Sequence, residues 1–254
     1  MNGNGDSAVR YGMVIDLDRC TGCGACMIAC AVENNVPATP AASTARTGLT
    51  WLRVYRADNP RAGSGPRSVF IPVPCQHCDK ETPCLTVCPQ NAVEKDAKTG
   101  IVSQVPARCL GCRYCMAACP YHARYFNWWD PVWPKAMRTS LNPDVAPRMR
   151  GVVEKCNFCH GRYQAARGRA AAEGKREVPA ETYVPACAEA CPTRAITFGN
   201  LLDEGSEVAR LSRSPAAFRL LQRLGTEPKV YYLSRRSWVR RLGETVLEKG
   251  SDHG

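Results

Sequence analysis

The chain has 254 residues, 44% hydrophobic and 22% charged, with a formal net charge of +11. That length is ample for an ordinary core, and it exceeds the roughly 100 residues within which a disulfide-stapled scaffold is usually read. No run of 18 apolar residues occurs, so the sequence predicts no transmembrane helix. Basic charge raises nucleic-acid binding, but the arginines scatter across loops without a nucleic-acid motif, and no nucleic-acid partner is expected. An Arg-rich surface suits acidic partner subunits instead.

In chain order, the opening MNGNGDSAVRYGMVIDLDRC has no apolar h-region and no twin arginine. It predicts a chain that either stays cytoplasmic or crosses the membrane folded, bound to a signal-bearing partner. The first cysteine group follows. Cys20, Cys23, Cys26 and Cys30 are spaced C-x2-C-x2-C-x3-C, the bacterial ferredoxin signature for a [4Fe–4S] cube, with Ala31 where proline usually stands. Residues 31–74 form an insert: a Pro/Ala/Ser/Thr stretch at 37–48, then the strand-like LTWLRVYRA and SVFIPVP. These predict a hairpin packed beside the first cysteine groups.

The second group, Cys75, Cys78, Cys84 and Cys88, has five residues in its second gap, which predicts a bulged loop and no lost ligand. The third, Cys109, Cys112, Cys115 and Cys119, repeats the first spacing. After it comes YFNWWDPVWP, whose Trp128, Trp129 and Trp133 read either as local packing or as a partner-facing anchor. The fourth group is Cys156 and Cys159, then Cys187 and Cys191, with an Ala/Arg-rich surface helix expected over 161–180. The cysteine-free remainder predicts a helix from Ser214–Pro215, with an apolar face of Phe218, Leu221 and Leu224 and a stop at Gly225. A strand at KVYYL follows. The basic, amphipathic RRSWVRRLGETVLEKG reads as a solvated helix or as a contact for anionic lipid or a partner.

No cysteine lies outside a group. Cysteines two apart meet disulfide geometry with difficulty. Zinc needs only two C-x2-C pairs, which leaves the third and fourth cysteine of each run without a role. Sixteen thiolates in fours therefore predict four [4Fe–4S] clusters, and several clusters in one small protein mean a path for electrons. Their neighbours agree. Pro89, Pro120 and Pro192 follow Cys88, Cys119 and Cys191, turning the chain away without an N–H to satisfy. Gly22, Gly24 and Gly111 sit between ligands, where a tight wrap needs unusual backbone. Ala92–Val93 and Ala195–Ile196 follow their Cys-Pro steps at one offset. His77, His122 and His160 adjoin the groups and suit tuning of potentials, while His253 falls in the terminus. At about −2 per cluster, the holoprotein charge drops from +11 to about +3.

In two-cluster ferredoxins the fourth cysteine of each run serves the other cluster. Groups two and three, with twenty residues between Cys88 and Cys109, suit one compact unit. By that analogy one cluster takes Cys75, Cys78, Cys84 and Cys119, and its neighbour takes Cys88, Cys109, Cys112 and Cys115. Groups one and four pair around it, as Cys20, Cys23, Cys26 and Cys191, and as Cys30, Cys156, Cys159 and Cys187. The expected fold is α+β and loop-rich, with two nested ferredoxin-like units. The outer unit is 12–74 plus 150–200 and the inner is 75–125, with a Trp/Pro-rich insert at 126–149 and a helical or extended tail at 201–254.

The motifs IDLDRCTGCGACMIACAVENNVP, CQHCDKETPCLTVCPQNAV, ARCLGCRYCMAACPYHARYFNW and EKCNFCHGR…VPACAEACPTRAITFG resemble the four-cluster subunits of the complex iron–sulfur molybdoenzyme family over roughly residues 12–200. That family includes the β subunits of dimethyl sulfoxide, polysulfide and nitrite-linked reductases. NPDVAPRMRGVVEKCNFC and LGTEPKVYYL look like the iron–sulfur components of menaquinone reductase (Qrc) complexes and of alternative complex III. Sulfite-dehydrogenase-type subunits are close. The resemblance implies a subunit of a membrane-associated respiratory oxidoreductase, relaying single electrons to or from a menaquinone-linked module. It implies a large molybdopterin-enzyme-like partner and an integral membrane quinone-interacting partner, more readily on the periplasmic face. The chain shows no catalytic residues of its own: no nucleophile–base motif, phosphate loop or dinucleotide fingerprint. A soluble polyferredoxin carrier, a sulfur-compound oxidoreductase subunit and a zinc-binding interaction module remain the other readings.

Overall fold

The computed structural model describes residues 9–39, 48–59, 65–146, 148–175, 177–179 and 182–243. Most of the 37–48 stretch, the end of RRSWVRRLGETVLEKG and His253 lie outside the described residues. Strand β1 (Tyr11–Asp16) leads to helix α1 (Ala25–Glu33), then β2 (Leu52–Asp58) and β3 (Ser68–Pro74). Helix α2 (Pro83–Thr86), β4 (Val93–Lys95), β5 (Val102–Gln104), α3 (Tyr114–Ala118) and β6 (Tyr125–Phe126) follow. The remainder is β7 (Val153–Glu154), α4 (His160–Ala172), α5 (Ala186–Glu189), β8 (Ile196–Asn200), α6 (Glu207–Ser212), β9 (Ala217–Phe218), β10 (Val230–Leu233) and α7 (Ser237–Leu242). Short helices and short strands in alternation make a mixed α and β, ferredoxin-like architecture.

One four-stranded sheet organises the core, in the order β8-β1-β10-β9. Met13, Val14 and Ile15 in β1 are each at most 1% exposed, so this strand is covered on both faces and reads as a continuous apolar run. Strand β8 lies antiparallel to β1 from Tyr11↔Asn200 to Ile15↔Ile196, which joins the ends of the first and fourth cysteine groups directly. On the other edge β10 runs parallel to β1, from Met13↔Val230 to Asp16↔Leu233. The predicted hairpin forms with register Leu52↔Pro74 to Asp58↔Ser68. Its Val69, Ile71 and Val73 alternate inward, each 2% exposed, as the two-residue period of a strand requires.

The region from 200 onward differs from expectation. No helix starts at Ser214. The helix sits earlier, as α6, where the Ser206 hydroxyl caps the N-terminus by accepting from the Ala209 N–H at 3.2 Å. Residues 214–225 instead supply β9, whose Phe218 faces Tyr232 of β10, and a 3-10 turn at Gln222–Leu224. Tertiary burial overrides helical spacing here. Leu220 and Leu221 are buried, and Leu221 takes a left-handed φ of 47° to reach the core, while Leu224 alone of the expected apolar face stays exposed. The KVYYL strand is present as β10, in the middle of the sheet. Helix α4 ends at Ala172, short of the expected 180. Trp128 packs edge-on to Phe126, with ring centroids 4.5 Å apart, and Arg113 lies 5.0 Å over its ring. All three tryptophans of the insert are half-buried. Among the described residues, no helix is long and apolar enough to cross a membrane.

Candidate metal centres

A single local device recurs around the cysteines. In the opening C-x2-C loop of each group the residue two after the first cysteine has a left-handed φ: Gly22 73°, His77 44°, Gly111 75° and Phe158 54°. This turns the backbone N–H inward, and those of His77 and Phe158 donate to the Sγ of Cys75 and Cys156 at 3.5 Å. Two of the glycines are also sterically required. A Cβ on Gly22 would stand 2.4 Å from the Phe70 ring, and one on Gly111 would stand 2.4 Å from the Gly151 carbonyl oxygen. His77 and Phe158 adopt the same geometry without glycine, so composition did not mark them.

The Cys-Pro steps form a second device. Asn91, His122 and Arg194, each three residues after the cysteine, have φ of 48°, 49° and 50°. The N–H groups of Ala92 and Ala195 then donate to Cys88 Sγ and Cys191 Sγ, both at 3.2 Å. Burial works to raise these thiols. The N–H groups of Gln90, Ala92 and Val93 outweigh it at Cys88, and at Cys191 the Thr193 hydroxyl and nearby N–H groups do so, holding both below the ordinary range. The common offset of Ala92–Val93 and Ala195–Ile196 is thus the offset at which backbone donors reach a thiolate.

All sixteen cysteines are free thiols, and folding gathers them across groups. Burial pushes Cys26 up to about 11, with Cys20, Cys191 and Cys23 adding to it as close neighbours. Cys30 is raised by burial and then by Cys156, Cys187 and Cys159. Cys78 is pushed up to about 12 by burial, with Cys75, Cys119 and Cys84 around it. Cys115 senses Cys109 and Cys88. Two of these gatherings enclose cavities. One is lined by Cys75, Cys78, Cys84 and Cys119, and the other by Cys88, Cys109, Cys112 and Cys115. The gatherings also form a row, because Cys30 senses Cys26, Cys156 senses Cys75, and Cys84 senses Cys115. Solvent reaches the ends of that row: Cys23 is exposed, and Cys88, Cys109 and Cys112 are half-buried. In the middle, Cys30, Cys156, Cys159, Cys187, Cys75, Cys78 and Cys84 are all buried.

Other side chains complete the setting. His77 is fully buried, accepts from the Val102 N–H at 3.0 Å through Nδ1, and stacks 3.6 Å from Phe158. Burial drives its pKa well below the ordinary value, so it is neutral. His160 is likewise lowered by burial, and His122 is exposed. Asn34 Nδ2 donates to Cys30 Sγ at 3.8 Å and to Cys159 Sγ at 4.0 Å. The five-residue bulge between Cys78 and Cys84 is tied down at Asp79. Its N–H donates to the Thr226 and Glu227 carbonyls, and its carboxylate meets Lys229 at 3.1 Å. Asn34, Asp79, Arg124 and Lys155 escaped the sequence reading, because nothing in composition separates them from ordinary surface polar residues.

Thiols gathered in fours, backbone N–H groups aimed at sulfur and enclosed volume between the sulfurs are the donor set of an iron–sulfur cube. Among the described residues, no three Cys, His, Asp or Glu side chains converge on a site for a single ion.

Residues 67–139 match the 4Fe-4S dicluster domain and residues 11–32 match a 4Fe-4S binding domain. The menaquinone reductase iron-sulfur cluster-binding subunit of Nitratidesulfovibrio vulgaris is 53% identical over 242 residues, 94% of either chain. Protein NrfC of Escherichia coli is 38% identical over 225 residues, 89% of this chain and 81% of its own. The Hdr-like menaquinol oxidoreductase iron-sulfur subunit 1 of Archaeoglobus fulgidus is 37% identical over 240 residues, 88% of this chain and 82% of its own. With its sixteen free cysteines in four ferredoxin-like groups, the chain belongs to this family of respiratory iron–sulfur electron-transfer subunits and binds four [4Fe–4S] clusters.

Proposed function

We propose that the four clusters are held by Cys20, Cys23, Cys26 and Cys191; by Cys30, Cys156, Cys159 and Cys187; by Cys75, Cys78, Cys84 and Cys119; and by Cys88, Cys109, Cys112 and Cys115. The observation that carries this reading is that two cavities are each lined by one complete set of four and by no other cysteine. The first two sets belong to an outer ferredoxin-like unit, 12–74 with 150–200, whose halves are tied by the β1–β8 pairing. The last two belong to an inner unit, 75–125. When bound, such clusters supply one-electron redox chemistry at a potential set by charge, hydrogen bonds and exposure. The chain's task is to line the sites up, keep water from the middle two and present two ends.

The ends meet partners: a large molybdopterin-enzyme-like or related subunit, and an integral membrane subunit that handles menaquinone. The 53% identity to a chain named for menaquinone reductase supports the quinone side. Exposed apolar side chains flank both ends, Ile28 at 67% and Val32 at 58% near the first set, Leu110 at 57% and Tyr114 at 64% near the last. Apolar and aromatic groups of this kind form the centre of protein interfaces. We assign the complex to the periplasmic face, the chain being exported folded with a signal-bearing partner.

Detergent extraction of native membranes followed by affinity capture tests the assembly: a large subunit and a membrane subunit should co-purify, and a free monomer overturns it. Anaerobic iron and sulfide analysis with EPR spin integration tests the ligand sets, and fewer than four clusters refutes them. Protease treatment of spheroplasts should degrade the chain if the periplasmic assignment holds.

A further inference from the structure

Among the described residues, two cations lie buried inside the row of cysteines, and neither is matched by a carboxylate hydrogen bond. Arg124 is 3% exposed and lines the cavity of Cys75, Cys78, Cys84 and Cys119. Its Nη2 donates to the neutral Gln104 Oε1, its Nε and Nη1 are buried with no oxygen or nitrogen acceptor among the described residues, and the guanidinium meets the Cys115 thiol. Its other close neighbours are the thiols of Cys84, Cys115 and Cys75, so it stands between the third and fourth sets. Lys155 is 1% exposed, and its Nζ donates to two neutral carbonyls, Val102 O and, at 2.7 Å, Cys156 O. Cys156 on one side and Cys84 on the other feel its charge, which places it between the second and third sets.

A buried charge held only by neutral acceptors is costly unless an opposite charge shares its low-dielectric surroundings. Among the described residues, neither cation hydrogen-bonds a carboxylate, and the anions that feel both are the thiolates and what they hold. The two charges are not spread evenly along the row. Both act on Cys84, in the third set. The second set feels Lys155 through Cys156, and the fourth feels Arg124 through Cys115 and Cys88. In the first set, the charges that act most on Cys26 are those of other cysteines. Arg162, near Cys159, is neutralised by Glu33 at 2.8 Å.

We propose that Arg124 and Lys155 are fixed positive charges that make the Cys75, Cys78, Cys84 and Cys119 site the most oxidising of the four, so that an electron crossing the chain rests there. A nearby positive charge favours the reduced, more negative state, and burial keeps that effect unscreened. Exchange along the row moves one electron between neighbouring sites, with no bond made or broken. Both residues are positioning residues, acting on the potential of a site they do not ligate. The inference rests on the ligand sets proposed above.

The test is an anaerobic redox titration of the intact complex followed by EPR. Arg124→Gln should lower the most positive step and one further step. Lys155→Met should lower the same most positive step and a different further one. Each shift of that shared step should reach tenfold in its reduction equilibrium, about 59 mV for one electron. Arg124→Lys, which keeps the charge, should restore most of the Arg124→Gln loss. Should Arg124→Gln lose iron, Lys155→Met decides alone, since its Nζ contacts carbonyls and no sulfur. The inference is overturned if iron-replete variants leave the most positive step in place, or if the two share no step. The spin count of the unaltered protein separates the two failures. Fewer than four clusters defeats the ligand sets, whereas four clusters with unmoved potentials defeats only the role of the cations.

Discussion

The two ends of the cysteine row and its middle use the same local chemistry in opposite surroundings. At the ends, Cys23 is exposed and Cys88, Cys109 and Cys112 are half-buried; in the middle, seven of eight cysteines are buried. The C-x2-C loops carry the same left-handed turn in both places, with Gly22 and Gly111 at the ends and His77 and Phe158 in the middle. Substituting aromatic rings for glycine costs strain at φ near 50°, of order 1–3 kcal/mol per residue. That strain is offset because His77 and Phe158 stack on each other and bring the second and fourth cysteine groups together. Packing is therefore concentrated around the middle cysteines, and solvent reaches those at the ends.

The strongest way to break this comparison is to remove one ligand from each class. Cys84→Ala empties part of a core cavity, and Cys23→Ala alters an exposed rim. Cys84→Ala should abolish recovery of folded, iron-loaded protein or cut it at least tenfold, since metal-site binding energy is folding energy. Cys23→Ala should keep the fold and the iron of the other three sites. Iron content per chain and far-UV circular dichroism read both, and equal losses would remove the distinction between ends and middle. Chelator-driven iron release from the unaltered protein should accordingly be biphasic, with the end sites emptying first.

The next effect is mechanical. Phe158 is fully buried and touches both His77 and Phe198. Phe158→Ala should cost about 3–5 kcal/mol, the range for a large-to-small change in a packed core. Ile28→Ala, on the exposed face of α1, should stay within about 0.5 kcal/mol. Anaerobic denaturant midpoints compare the two, and near-equal values would mean that this ring stack does not hold the core together.

The sequence disclosed the chemistry far better than the packing. Cysteine spacing is covalent information, so the four groups, the Cys-Pro steps and the glycines at 22, 24 and 111 were legible at once. The β2–β3 hairpin was legible too, because alternation of Val69, Ile71 and Val73 carries its own signature. The segment from 214 to 225 was not, since its helical spacing lost to a sheet edge whose partner, β10, lies further along the chain. Arg124 and Lys155 were hidden for a related reason. Their meaning depends on burial between cysteines brought together from distant groups, and local sequence reports neither burial nor that meeting.

The smallest effect sharpens the comparison at single hydrogen bonds. Asn34 Nδ2 donates to Cys30 Sγ at 3.8 Å and Cys159 Sγ at 4.0 Å in the buried middle, and the Thr193 hydroxyl lies 3.6 Å from Cys191 Sγ at an end. Donors to sulfur favour the more negative, reduced state and raise the potential. Asn34→Leu removes a donor where the dielectric is low, and Thr193→Val removes one where water can take its place. The first should lower one step of the redox titration by a few-fold in its reduction equilibrium. The second should lower another by less, although its contact is the shorter. Were Thr193→Val to produce the larger shift, distance and not burial would set the influence of donors on these sites, and the contrast between ends and middle would hold for stability alone.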